Sequence, residues 1–263
     1  MAWNFFAYLS RMRYIRRWGL MRNTFSENIQ EHSHMVAVIA HALAVIRREV
    51  YGGQADPDRA AVAALFHDAP EIFTGDLPTP VKYYNPDIRD SYRQVEAVSA
   101  QKLLSMLPPA LRGAYAPWLT EDYDPELHAL VKAADKLSAY IKCVEELKAG
   151  NSEFKKAAQQ TRAALEASPL PEVGYFMDRF LPGFPLILDE LQYSKGWNPP
   201  RRAAAMAGPA GRFPVYRGSL HHSMEGLWST EEEGLSHRKQ QRNLWKRQCN
   251  PSAIKRIFML KQL

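Results

Sequence analysis

Cysteine is scarce in this chain of 263 residues, which holds only Cys143 and Cys249. A disulfide framework is therefore not expected, and a reducing compartment, the cytoplasm, is predicted. The sequence also lacks an uninterrupted apolar run of the roughly 20 residues that span a bilayer, so no membrane association is expected. Sustained alternation of apolar and polar residues is missing as well, and this absence argues against a sheet.

Most of the chain has no net positive charge, and the basic residues that make the total positive lie near its end. The formal net charge is +6, but residues 1–194 hold 21 Lys/Arg and 24 Asp/Glu, whereas residues 195–263 hold 13 and 4. From about residue 193 the sequence is rich in Pro, Gly, Ala and Arg and has no helical period. We therefore predict a folded domain over residues 1–192 and a flexible basic tail over residues 193–263.

Apolar residues recur at three-to-four spacing through residues 1–192, which predicts an all-α bundle. One helix should run from about Gln30 to the Gly52-Gly53 pair, and another should begin with Asp56 as its N-cap. Further helices are expected over residues 85–109, 124–150, 153–167 and 173–191.

Several polar residues occupy positions on these helices that should face the interior. His32 heads an apolar stripe, His67 and Asp68 directly follow the apolar run AAVAALF, and Asp135 borders a third stripe. Buried ionisable groups are tolerated when they are paired or bind metal. Pro70 should end or kink its helix, which would let His67 and Asp68 reach one centre. Together the four residues favour a metal site.

Plainer interpretations stay open for each residue taken alone. His67 and Asp68 could satisfy each other as a hydrogen-bonded pair, and Asp135 could be the buried ion-pair partner of Arg17. His128 lies on roughly the same helix face as Asp135, where it could support a metal ligand, although packing is the more common role.

The segments EHS (31–33), HDAPE (67–71) and KAADKLSAY (132–140) resemble the HD-domain metal-dependent phosphohydrolases, named for their H…HD…D ligand set. RWGLMRN (17–23), FTGDLPTPVKYYN (73–85) and YIKCVEELKAGNSEF (140–154) are similar to the bacterial 5′-deoxynucleotidases of the YfbR type. The similarity runs from about residue 4 to residue 192, and it implies an HD-domain helical bundle.

The resemblance implies a role for each matching residue. The metal ligands would be His32, His67, Asp68 and Asp135. Glu71 would be the catalytic carboxylate, and Asp76 could orient the attacking water. Arg17 would hold the phosphate, and Trp18 would exclude a ribose 2′-hydroxyl. The other substrate contacts would come from His32, Asp76, Leu77, Pro78, Thr79 and Asp135.

The implied activity is metal-dependent hydrolysis of deoxynucleoside 5′-monophosphates by a homodimer with one divalent transition metal per subunit, most often Co²⁺ or Mn²⁺. An HD phosphohydrolase acting on dNTPs or cyclic nucleotides is the alternative within enzymes, although the sequence shows no lysine cluster suited to a triphosphate. A second alternative is a nucleic-acid-binding protein that acts through the basic tail and its aromatic residues.

Overall fold

The computed structural model describes residues 2–82 and 84–191, with the backbone alone described for Thr79 and Pro80. The predicted tail lies outside the described residues, and the division at residue 192 stays a prediction. The described helices are α1 (Phe5–Leu9), a 3-10 helix (Ser10–Tyr14), α2 (Ile29–Glu49), α3 (Pro57–Phe66), α4 (Glu71–Thr74), α5 (Thr79–Lys82), α6 (Pro86–Ser105), α7 (Pro109–Thr120), α8 (Pro125–Lys148), a 3-10 helix (Ser152–Phe154), α9 (Lys155–Glu166), α10 (Pro171–Arg179), a 3-10 helix (Leu181–Gly183) and α11 (Leu188–Leu191).

The helix boundaries follow from capping chemistry. Asp56 accepts hydrogen bonds from the backbone N–H groups of Asp58 and Arg59, and Asp124 accepts one from Leu127. Asn28 caps α2 in a reciprocal capping box with the N3 residue Glu31. The predicted start at Asp56 and the all-α class are thereby confirmed.

Two sequence-based predictions about the helices need correction. The helix expected over residues 173–191 is wrong as one element, because Pro182 and Pro185 each remove a backbone donor and divide it into α10, a 3-10 turn and α11. α7 was not predicted at all, and it contains Pro117 in its interior. Proline in both places obscured the helical period.

Two apolar clusters build the described part of the chain. The larger joins α2, α3 and α8 with α9 and α10, and the smaller joins α1, α6 and α7 around Phe5 and Leu103. Ala64 at the end of α3 belongs to the larger cluster, while Ala69 belongs to the smaller one. The residues between them, including His67 and Asp68, therefore lie at the seam of the two clusters.

α2 is the one described helix long and apolar enough to cross a bilayer, with a mean hydropathy of 1.2. Its apolar stripe contains Val36, Ile39 and Leu43, all of which are buried in the larger cluster. Packing against α3 and α8 accounts for this composition, because a central core helix also needs apolar residues on most sides.

Candidate metal centre

A break between two helices presents His67 and Asp68. α3 ends at Phe66, and the next backbone bonds are short-range ones, from Ala69 N–H to the Phe66 carbonyl and from Glu71 N–H to the Asp68 carbonyl. Pro70 is buried and precedes α4, where its ring prevents α3 from continuing. The predicted helix end at this proline is confirmed.

The four predicted ligand residues come together at this break. Nε2 of His32 lies 3.1 Å from Oδ1 of Asp135 and 3.6 Å from Oδ2 of Asp68. Nε2 of His67 lies 3.1 Å from the same Asp68 oxygen. Candidate ligand atoms of His32, His67 and Asp135 all fall within 4.8 Å of one another. One centre thus receives side chains from α2, from the turn after α3 and from α8.

The two histidines present nitrogen atoms in a form that suits a divalent metal. Nδ1 of His67 lies 2.7 Å from the carbonyl oxygen of Ala64, so it carries a proton, and the buried Nε2 faces Oδ2 of Asp68 at 3.1 Å without the geometry of a hydrogen bond. Nδ1 of His32 lies 3.2 Å from Oγ of Ser138, which directs Nε2 toward the carboxylates. Imidazole nitrogens and carboxylate oxygens are ligands of divalent transition metals, so these residues fit such an ion.

Burial and charge act against each other on the acidic groups of the centre. Burial opposes ionisation of Asp68 and Asp135, but the imidazole of His67 lowers the pKa of Asp68 well below its usual range. The hydrogen bond with His32 lowers the pKa of Asp135 to about 2. Burial and the charge of Asp68 raise the pKa of Glu71 to about 9. The surroundings therefore favour the ionised form of Asp68 and Asp135 and disfavour the ionised form of Glu71.

Arg17 and Trp18 lie in the segment before α2 and share one partner. Oε2 of Glu27 accepts a hydrogen bond from Nη1 of Arg17 at 3.0 Å and another from Nε1 of Trp18 at 3.2 Å. The predicted alternative of an Arg17–Asp135 ion pair is wrong, because Glu27 takes that place. Burial would lower the pKa of Arg17, but the charges of Glu27, Asp68 and Asp135 raise it. Arg17 therefore lies within electrostatic reach of the centre.

Trp18 is half-buried and combines a packing role with an unusual backbone. Its ring packs on Phe154 with centroids 5.2 Å apart. Its φ is 58°, in the left-handed region that residues other than glycine seldom adopt. The surrounding contacts therefore fix the direction of this side chain.

The loop Asp76–Thr79 connects α4 to α5. Burial raises the pKa of Asp76 and the charge of Arg17 opposes this rise, so the two side chains lie within electrostatic reach of each other. Leu77 and Pro78 follow as half-buried residues, and the side chain of Thr79 lies outside what the structure describes. The loop thus meets the Arg17–Trp18 segment through Asp76.

A cleft of about 820 Å³ opens beside the centre, and its lining includes His67, Asp68 and Glu71. Oε2 of Glu71 is buried and has no hydrogen-bond partner within the described part of the chain. The basic residues of the lining are Lys82, Arg89, Arg93 and Lys132. Nζ of Lys82 pairs with Glu96 at 2.8 Å, and Nζ of Lys132 pairs with Glu121 at 3.2 Å. The fold therefore collects basic side chains that are scattered in the sequence.

Sequence reasoning gave no role at the site to Ser138 or Glu27. Ser138 could have been found, because it lies one helical turn from Asp135 on α8. His128 pairs with Glu121 at 3.1 Å in the cleft wall, so it is more than a packing residue. Glu27 lies in a segment without regular structure, and no periodic signal marked it.

An all-α bundle that joins His and Asp side chains at a helix break defines an HD-type phosphohydrolase. A solved HD-domain phosphohydrolase from Listeria innocua has this fold, with a TM-score of 0.61 and 25% identity over 69% of this chain and 88% of the other.

The chain matches the family described as 5′-deoxynucleotidase YfbR-like over residues 4–184. It is 50% identical over 189 residues to the 5′-deoxynucleotidases YfbR of Shigella boydii and Escherichia coli, which covers 72% of this chain and 95% of each of those proteins. The chain therefore belongs to the YfbR-like 5′-deoxynucleotidase family. The predicted family, fold class and enzyme class are confirmed.

Proposed function

We propose that the chain hydrolyses deoxynucleoside 5′-monophosphates at the centre formed by His32, His67, Asp68 and Asp135. A water molecule attacks phosphorus, the bond from phosphorus to the 5′-oxygen breaks, and a deoxynucleoside and inorganic phosphate are released. Family membership supports the reaction. The observation that carries its location is the convergence of ligand atoms from His32, His67 and Asp135 within 4.8 Å.

These residues would hold one divalent ion per chain, and we propose Co²⁺ or Mn²⁺. When bound, such an ion lowers the pKa of a water molecule and neutralises charge on the phosphate. His67 and His32 orient their Nε2 atoms for this role through Ala64 and Ser138. Asp68 and Asp135 supply negative charge, which a cation would offset.

Arg17 and Glu71 would serve the phosphate and the leaving group. The guanidinium of Arg17 can donate two parallel hydrogen bonds to phosphate oxygens, and its buried Nε has no other hydrogen-bond partner among the described residues. Glu71, whose pKa is raised by burial and by the charge of Asp68, would donate a proton to the departing 5′-oxygen. Asp76 would orient the attacking water or contact the substrate.

Selection of deoxyribose would fall to Trp18 and to the loop Asp76–Thr79. The half-buried Trp18 ring has a fixed direction, so a 2′-hydroxyl would meet a rigid wall. His32 and Asp135 would also contact the substrate. Discrimination against an added hydroxyl by a shaped apolar wall is typically about a hundredfold, which sets the expected preference for dAMP over AMP.

The test is the product released from matched substrates by the metal-loaded protein. Orthophosphate from dAMP, with AMP about a hundredfold slower, is expected. The second candidate is hydrolysis of dNTPs, for which Lys82 and Lys132 in the cleft would have to exchange their partners Glu96 and Glu121 for phosphate oxygens. Release of triphosphate from dATP, with dAMP left intact, would replace the first function by the second.

We also propose that the chain forms a homodimer and that it works in the cytoplasm. α6 exposes the large apolar side chains of Val95 and Val98, which supports burial against a second copy. The buried thiol of Cys143, whose pKa burial raises to about 11, is unpaired and suits a reducing compartment. Sedimentation analysis and cell fractionation test the two parts separately.

A further inference from the structure

We propose that Glu27 is a positioning residue that fixes both the phosphate grip of Arg17 and the deoxyribose selectivity of Trp18. This inference rests on the proposed function, because it assigns Arg17 to the phosphate and Trp18 to the sugar. Glu27 would touch neither substrate nor metal. It would act through the two side chains that its carboxylate orients.

A single oxygen atom couples the two side chains. Oε2 of Glu27 accepts from Nη1 of Arg17 at 3.0 Å and from Nε1 of Trp18 at 3.2 Å, and the backbone N–H of Arg17 donates to the Glu27 carbonyl at 3.0 Å. The side chains of Arg17 and Glu27 are only 13% and 14% exposed, so solvent cannot readily replace the pair. Displacing this carboxylate would therefore release both groups together.

The Glu27 bonds also compensate for the backbone of Trp18. A tryptophan at φ 58° has few conformations available and keeps them only if its neighbours hold it. The guanidinium of Arg17 lies over the Trp18 ring at 5.9 Å, which ties the two residues further. The direction of the indole ring thus depends on the Glu27 carboxylate as well as on packing against Phe154.

α8 holds the segment before Glu27 in a defined position relative to the metal centre. Its face that carries Asp135 continues to Lys142 and Glu146. Nζ of Lys142 donates to the Phe25 carbonyl at 2.6 Å, and Oε2 of Glu146 accepts from the Thr24 N–H at 2.9 Å. Both contacts hold the chain just before Glu27. The carboxylate therefore stands at a fixed distance from the metal ligands and can transmit that geometry to Arg17 and Trp18.

The test compares Glu27→Gln with Glu153→Gln in the metal-loaded protein. Glu153 is a matched control, because its carboxylate pairs at 3.0 Å with Arg22 of the same segment, on the solvent side. The readout is kcat/KM for dAMP and for AMP, together with the melting temperature. The selectivity ratio is decisive, since a general loss of structure lowers both activities equally.

For Glu27→Gln we expect kcat/KM on dAMP to fall about tenfold to hundredfold, the range for a lost hydrogen bond to a charged group. The preference for dAMP over AMP should narrow about tenfold, while Glu153→Gln keeps the wild-type ratio. Glu27→Asp retains the charge but is one methylene too short for both donors, and it should narrow the ratio in the same direction. This second variant keeps the test valid if the first does not fold.

Two results would overturn the inference in distinguishable ways. If the wild-type protein hydrolyses dAMP and both Glu27 variants keep its dAMP-to-AMP ratio within twofold, the positioning role is wrong and the proposed function stands. If the wild-type protein releases no phosphate from dAMP, the proposed function fails and takes the role of Glu27 with it.

Discussion

At the scale of single residues, the centre places side by side carboxyl groups whose pKa values are shifted in opposite directions. His67 and His32 lower the pKa values of Asp68 and Asp135, whereas burial and the charge of Asp68 raise the pKa of Glu71 more than Lys82 and Arg17 lower it. Carboxylates that differ in environment can take different chemical roles at one pH. Ligation and proton transfer are therefore assigned to different acids.

Glu71→Gln tests the acid assigned to proton transfer. The amide keeps the shape of the side chain but cannot give up a proton at neutral pH, so kcat on dAMP should fall about 10²–10⁴-fold. Metal binding should stay at the wild-type level. Steady-state kinetics and metal analysis of the same preparation measure both quantities.

Glu96→Gln is the control for that substitution. Glu96 lines the same cleft but accepts a hydrogen bond from Lys82. Its replacement by Gln should lower kcat less than about fivefold. If Glu71→Gln keeps more than a tenth of the wild-type kcat, Glu71 does not transfer the proton.

At the scale of elements, α8 performs two tasks with one face. Asp135 and Ser138 contact His32 in the candidate metal centre, and Lys142 and Glu146 hold the backbone of Phe25 and Thr24. The Lys142–Glu146 pair is fully buried, with Nζ and Oε1 2.5 Å apart. Such a pair destabilises strongly when one member is lost, because the other charge stays buried alone.

Glu146→Gln should lower the free energy of unfolding by about 3 kcal/mol at pH 7. Burial opposes ionisation of Glu146, but hydrogen bonds from Lys142 and Asn151 lower its pKa to about 2. Because this pKa is depressed in the folded protein, the stabilisation is complete above the unfolded value of about 4.3 and is lost as the pH falls toward 2. The variant should lack this acid-sensitive part of the curve.

Urea unfolding between pH 2 and pH 7 measures the difference, and Glu145→Gln is the matched control because Glu145 is only half-buried. An unfolding free energy of Glu146→Gln that matches wild type at pH 7 would show that Glu146 does not stabilise the fold.

The periodicity of apolar residues predicted the long helices of the core. It missed the segments in which proline or an irregular loop interrupts that period. α2 and α8 were predictable because their apolar stripes are long and their caps conventional, and the inward positions of His32 and Asp135 followed from the same stripes. Proline concealed α7 and the division after α10. Glu27 was unpredictable, because its contacts with Arg17 and Trp18 depend on a loop whose path only tertiary structure defines.

At the scale of the whole molecule, the described residues already contain a complete candidate centre. α2, the turn after α3 and α8 supply all four predicted ligands, and the seam between the two apolar clusters gives them room. The basic residues beyond position 191 lie outside this described part. The family match covers residues 4–184, which include all four predicted ligands, so we expect catalysis not to depend on those basic residues.

A chain that ends at residue 191 should keep kcat/KM for dAMP within twofold of the full chain. DNA binding that weakens steeply with salt should occur, if at all, only in the full chain, which carries 13 Lys/Arg and 4 Asp/Glu over residues 195–263. Phosphate-release assays and fluorescence anisotropy with a labelled duplex measure the two properties. A tenfold loss of activity on truncation would mean that the tail belongs to the enzyme.

The most direct measurement of the central claim is metal content and phosphate release in parallel, on protein stripped of metal and resupplied with Co²⁺ or Mn²⁺. We predict about one ion bound per chain and recovery of dAMP hydrolysis, with both lost in His67→Ala and in Asp135→Asn. Full dAMP hydrolysis by the stripped protein in chelator, or wild-type metal binding by both variants, would contradict a metal centre built from these residues.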